Sequence, residues 1–79
     1  MTDDDAMALA LAEARGAMEH GDVPVGAVAL VGGEVVASDH NRREQLGDPT
    51  AHAEMLVLRT AAAAAGGWRL GDVTLVVTL

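Results

Sequence analysis

The histidine and the glutamate of DPTAHAEM, residues 48–55, have the widest chemical range of any side chains in this sequence. In the first turn of a helix, His52 can be a satisfied polar residue, a base or a metal ligand. Glu54 is either an acid set against the positive end of the helix dipole or a carrier of protons. Two positions apart, the pair would point about 200° from each other on an ideal helix. They therefore do not share a face, as the histidines of H-E-x-x-H do. Both reach one centre if it lies at the helix end, where side chains lean toward the N-terminus.

The elements that would hold this pair follow from local pattern. MTDDDAMALALAEARGAMEHGD opens with Thr2 and, three residues on, Asp5, a capping pattern followed by a helix with Met7, Leu11, Ala14 and Met18 on one stripe and Gly21 as the stop. VPVGAVALV, residues 23–31, reads as a strand with Pro24 at its start, and Gly26 marks a point where backbone or ligand comes close. Gly32 and Gly33 turn it into a second strand, EVVASDH, so the two form a hairpin. The polar loop NRREQLGDP ends in Asp48 and Pro49, an N-cap and first-turn pair for a helix running to Gly66 and Gly67. GDVTLVVTL, residues 71–79, is uncharged after Asp72 and reads as a strand buried on both faces in mid-sheet, parallel to the second strand through a right-handed crossover. Its apolar edge is expected to be uncovered, which favours oligomeric or partly molten behaviour.

Length and charge set the remaining bounds. Seventy-nine residues make one small domain, and with no cysteine there is neither a disulfide nor a thiolate metal ligand to reinforce it. Five arginines, no lysine and 12 acidic residues give a net charge of −7, which disfavours unspecific binding to nucleic acid. A local basic site within an acidic molecule is still compatible with an RNA substrate. No stretch approaches the roughly 20 apolar residues of a membrane span, and the acidic start is unlike a signal peptide, so a cytoplasmic protein is expected.

DVPVGAVAL, HNRR and DPTAHAE, in this order and followed by LGDVTLVVTL, resemble the amino-terminal half of the bacterial tRNA-specific adenosine deaminases, within the cytidine deaminase-like superfamily. Zinc nucleobase deaminases carry H-x-E followed by P-C-x-x-C. The resemblance covers essentially the whole chain. It implies an α/β fold, the cytidine deaminase-like three-layer α/β/α arrangement, incomplete here as α-β-β-α-β. Residues 1–79 would then be the N-terminal half of a cytidine/deoxycytidylate deaminase-type domain.

The same resemblance implies site roles. His52 would be a ligand of a catalytic Zn2+, and Glu54 the proton shuttle between the activated water, the base nitrogen and the leaving ammonia. The water would attack C6 of adenine to give inosine at the wobble position of a tRNA anticodon. Asn41 would hydrogen-bond the target nucleoside, Val25 would line the base pocket, and the backbone N–H of Ala53 would contact the base. Read without the resemblance, Asn41 is a turn residue at a strand end and Val25 an ordinary core residue. His20 and His40 match no family ligand position.

The sequence departs from the family in stopping at Leu79, before the P-C-x-x-C cysteines that supply two further zinc ligands. A catalytic zinc takes three protein ligands and keeps one open position. On its own, then, the chain is expected to bind zinc weakly and to lack activity. A complementary C-terminal half, tRNA, and a second copy in a homodimer are the implied partners. A small-molecule deaminase acting on guanine, cytosine or a nucleoside is the alternative within the enzyme class, and a non-catalytic α/β oligomerisation module the alternative outside it.

Overall fold

The computed structural model describes residues 1–78. Its elements run α1 (Asp3–Met18), β1 (Gly26–Val31), β2 (Glu34–His40), α2 (Arg43–Leu46), α3 (Ala53–Ala65) and β3 (Val73–Val77). The three strands form one sheet in the order β2-β1-β3, with β1 antiparallel to both neighbours. β1 is central because it is the apolar strand: Gly26 to Leu30 are all buried.

Alternation along β1 divides the core between two helices. Ala27 and Ala29 pack with Ala53, Val57 and Ala61 of α3, whereas Val28 and Leu30 pack with Ala6 and Ala10 of α1. The result is a helix, a sheet and a helix in three layers. The α/β, three-layer expectation and the α-β-β-α-β order are both observed, with α2 as one short additional turn.

Local signals worked where a local interaction decides the outcome. Thr2 Oγ1 accepts the N–H of Asp5 and Asp5 Oδ2 accepts the N–H of Thr2, each at 3.1 Å, so the capping box forms. Gly32 and Gly33 have φ of 58° and 80°, the positive pair that a two-residue hairpin turn demands. One irregularity follows in the hairpin: Ala29 pairs with Ala37 but Leu30 with Val35, leaving Val36 as a bulge.

Four expectations differ from the observed fold. The buried stripe of α1 is Ala6, Ala10, Ala14 and Ala17, while Met7, Leu11 and Met18 are exposed. Small residues face inward because the helix backbone comes down onto the strand. A Cβ on Gly26 would stand 1.9 Å from the Ala10 carbonyl oxygen. The first strand accordingly begins at Gly26, past Pro24, and not at residue 23.

β3 is not in mid-sheet. It lies at the edge of the described sheet, beside β1, and is at best half-buried. It points the same way as β2, as expected, but β1 lies between them. Thr78 extends the β3 pairing, its N–H donating to Gly26 O and its Oγ1 accepting from Gly26 N, both at 2.9 Å. Leu79, assigned to this strand from sequence, lies outside the described residues.

Nor does α3 start at Asp48 and Pro49. Asp48 Oδ1 instead takes the Thr50 N–H at 2.8 Å and the Thr50 hydroxyl at 2.7 Å, closing a turn of its own. The helix begins at Ala53, with His52 in the N-cap position. No helix among the described residues is long and apolar enough to cross a membrane.

Candidate active site

Because His52 is the N-cap, its backbone is extended (φ −76°, ψ 146°) and lies outside the helix on which Glu54 sits. The helical angle that would separate the two side chains therefore does not apply. Both line one cleft of about 550 Å³, together with Val25, Asn41, Leu75, Val77 and Thr78. A volume of that order suits a small ligand, and the walls are mostly apolar with a few polar groups, as such sites usually are. Val25 stands just before β1, Asn41 just after β2, and Val77 and Thr78 at the end of β3, so the hairpin, β3 and α3 all converge here.

Asn41 is fixed from several directions. Its N–H donates to Val25 O at 3.0 Å, and its neighbour Arg42 donates to Ala51 O at 2.9 Å. Its side-chain Oδ1 accepts the Ala53 N–H at 2.8 Å within a buried setting. That bond satisfies one of the donors a helix N-terminus leaves without a partner. His52, the residue in the capping position, makes no side-chain cap hydrogen bond, so its imidazole is not committed to the helix.

Of the residues singled out in the sequence, His52, Glu54, Asn41 and Val25 thus share the cleft. Ala53 is fully buried behind them, and its N–H, assigned to the base by resemblance, is engaged by Asn41. Leu75, Val77 and Thr78 are cleft residues that the sequence did not single out. Their signal was the uncharged third strand, whose role as a wall depended on its pairing with β1.

Zinc would find only part of a donor set here. Around this cleft the described residues offer one uncommitted imidazole, His52, and the carboxylate of Glu54. Glu13, Asp39 and His40, whose ligating atoms all lie within 4.8 Å of one another, form a cluster apart from it. A catalytic zinc takes three protein ligands, so the residues present fit one corner of such a centre and not the whole of it.

A second cleft of about 380 Å³, which Asn41 also lines, lies between Gly21–Val23 and the loop that carries α2. Asp22 is its buried acid. Burial raises the pKa of this carboxyl, but the N–H groups of Glu44 and Gln45, at 2.9 and 3.2 Å, and the His20 ring outweigh that effect and hold it below the usual carboxylate range.

Residues 1–79 match the family described as cytidine and deoxycytidylate deaminase zinc-binding region. The tRNA-specific adenosine deaminase of Bacillus subtilis is 50% identical over 80 residues, covering 100% of this chain and 50% of that protein. A structure from studies of A-to-I editing by tRNA:A34 deaminases at the wobble position of transfer RNA superposes with a TM-score of 0.91 at 48% identity, covering 95% of this chain and 58% of the other. Guanine deaminase from Bacillus subtilis also superposes with a TM-score of 0.91, at 31% identity, covering 98% of this chain and 50% of that one. The chain spans about half the length of the curated relatives it matches. Matched along its whole length, the chain belongs to the cytidine and deoxycytidylate deaminase zinc-binding family.

Proposed function

We propose that residues 1–79 are the N-terminal half of a deaminase domain that converts adenosine to inosine at the anticodon wobble position of tRNA. The observation that carries this reading is the convergence of His52, Glu54, Asn41 and Val25 on one cleft. The relatives near 50% identity, which are tRNA-specific adenosine deaminases, favour adenosine in tRNA over a free base.

In this reading His52 contributes one ligand to a zinc ion, and two cysteines from a complementary segment contribute the others. Zinc, when bound, supplies the acidity that makes water a nucleophile near neutral pH. Glu54 holds and moves protons: its carboxylate accepts one from the attacking water and passes it to the base nitrogen, then takes a second from the newly added hydroxyl and passes it to the amine, which leaves as ammonia. Asn41 orients the nucleoside through its side-chain amide, Val25 forms an apolar wall against the base, and the Ala53 N–H becomes a donor to the substrate when Asn41 releases it. The domain works as a homodimer in the cytoplasm.

A free-base activity is the second reading, favoured by the likeness to guanine deaminase at the same TM-score. The test is to assay the protein that carries these residues on tRNA and on free guanine side by side. Inosine in the anticodon supports the first reading; ammonia from guanine without inosine in tRNA replaces it with the second.

A further inference from the structure

The other two histidines meet on the far side of β2 from the sequence motif. His40, the last residue of β2, lays its ring over Gly16 of α1, where a Cβ would stand 3.1 Å from His40 Cε1. Its Nδ1 is 2.7 Å from Glu13 Oε1 and its Nε2 is 3.0 Å from His20 Nε2. His20 Nδ1 is in turn 2.6 Å from Asp22 Oδ2. The two rings lie with centroids 5.1 Å apart and planes inclined by 27°. Both side chains are largely buried.

Each of these contacts needs one donor and one acceptor. Ionised carboxylates only accept, so each Nδ1 next to Glu13 or Asp22 carries a hydrogen. The contact between the two Nε2 atoms needs one N–H and one lone pair. With two protons in all, two lone pairs face each other, or one faces a carboxylate. With four, two N–H groups face each other. Three protons on the two rings satisfy every contact.

We propose that His20 and His40 share one proton between their Nε2 atoms and, as a pair of net charge +1 clamped between Glu13 and Asp22, position Asn41 and the α2 turn at the rim of the candidate active site. Asp22 is the link, because its two oxygens also take the N–H groups of Glu44 and Gln45 in α2. Asn41 follows His40 directly in the chain. The groups facing the pair are Glu13 from α1, Asp22 from the α1–β1 connection, and Asp39 at the end of β2. Asp39 Oδ1 is 3.9 Å from His40 Nδ1 and is engaged by Arg42 Nε at 2.7 Å. His20 and His40 are positioning residues; their bearing on deamination rests on the proposed function, whereas their proton count does not.

The test is 15N-edited NMR of the imidazole nitrogens in the protein that carries these residues, recorded across the pH range over which it stays folded. The result expected is an interval in which both Nδ1 atoms are protonated and the two Nε2 atoms share a single hydrogen with averaged shifts. In Glu13→Gln the shared state gives way to independently titrating rings, and the amides of Glu44 and Gln45 exchange with solvent about tenfold faster. Two neutral rings in the unmodified protein, each titrating alone, overturn the proposal even if the variant does not fold. So does unchanged exchange at Glu44 and Gln45 in a folded variant. Neither readout depends on turnover, so a failure of the deaminase reading would not be mistaken for a failure of this one.

Discussion

Asn41 Oδ1 accepts the backbone N–H of Ala53 at 2.8 Å, so the end of β2 provides the cap that His52, in the N-cap position of α3, does not. A residue eleven positions upstream of the N-cap performs the local task, and the histidine is left uncommitted beside Glu54. The family motif is thus held by a tertiary contact and not by its own helix.

Replacing Asn41 with alanine leaves the buried Ala53 N–H without a partner, which costs about 1–3 kcal/mol. Asn41→Asp, which keeps an acceptor oxygen, is expected to lose less. Chemical denaturation of both variants measures the difference. If alanine and aspartate cost the same, the Asn41–Ala53 bond is not what holds α3.

Gly26→Ala is expected to be among the most damaging single substitutions in the chain. The added Cβ meets the backbone of α1, Ala10 O at 1.9 Å and Ala14 N at 2.7 Å, and neither can turn away as a side chain would. The cost should reach or exceed the upper end of the ~1–3 kcal/mol typical of overpacking. A melting temperature within a degree or two of the parent would show that α1 rides higher on β1 than described.

Acid should weaken the fold through identifiable carboxylates. Asp5, hydrogen-bonded by the Thr2 N–H and hydroxyl, Asp22, whose hydrogen bonds outweigh its burial, and Asp48, bonded to the Thr50 hydroxyl and N–H, all sit below the unfolded value of 3.8. A depressed folded pKa contributes stability that is complete above the unfolded pKa and is lost as pH falls through the folded one. Stability should therefore drop as pH goes below about 4. Asp22→Asn should flatten that acid limb in a urea titration series and lower stability at neutral pH. A steeper acid limb in the variant would contradict the assignment.

Features set by near neighbours were legible in the sequence. Thr2 with Asp5, and Gly32 with Gly33, announce a cap and a hairpin because each is complete within four residues. The inward stripe of α1 was not legible, since alanine and methionine are both apolar and the choice between them is made by how closely β1 approaches at Gly26. The Asp48 cap failed because Thr50, two residues on, competes for the same carboxylate. The edge placement of β3 depends on its pairing with β1, more than forty residues away, which no local pattern encodes.

The site was legible in part. H-A-E and the preceding asparagine drew attention to His52, Glu54 and Asn41, and all three line the cleft. The His20–His40 pair was missed because its members are twenty residues apart and neither matches a ligand position. Two signals could have found it: the H-x-D of His20 and Asp22, and a glycine, Gly16, inside an otherwise good helix.

Glu54 lines the cleft and lies partly exposed on the first turn of α3. If Glu54 has the proposed role, Glu54→Gln removes a proton carrier and little else, so kcat in the protein that carries these residues should fall by about 10²–10⁴ while the melting temperature stays put. Steady-state kinetics paired with a thermal scan checks this. A variant that keeps its rate would remove Glu54 from the chemistry.

If this cleft deaminates adenosine in tRNA, inosine itself is the most direct readout. The protein that carries these residues is incubated with unmodified tRNA, and the nucleosides are then quantified by mass spectrometry for the parent, His52→Ala and Glu54→Gln. The account predicts inosine at the anticodon wobble position with the parent and a loss of at least about a hundredfold in both variants. Inosine that persists without His52 and Glu54, or its absence with the parent while free guanine is consumed, would contradict it.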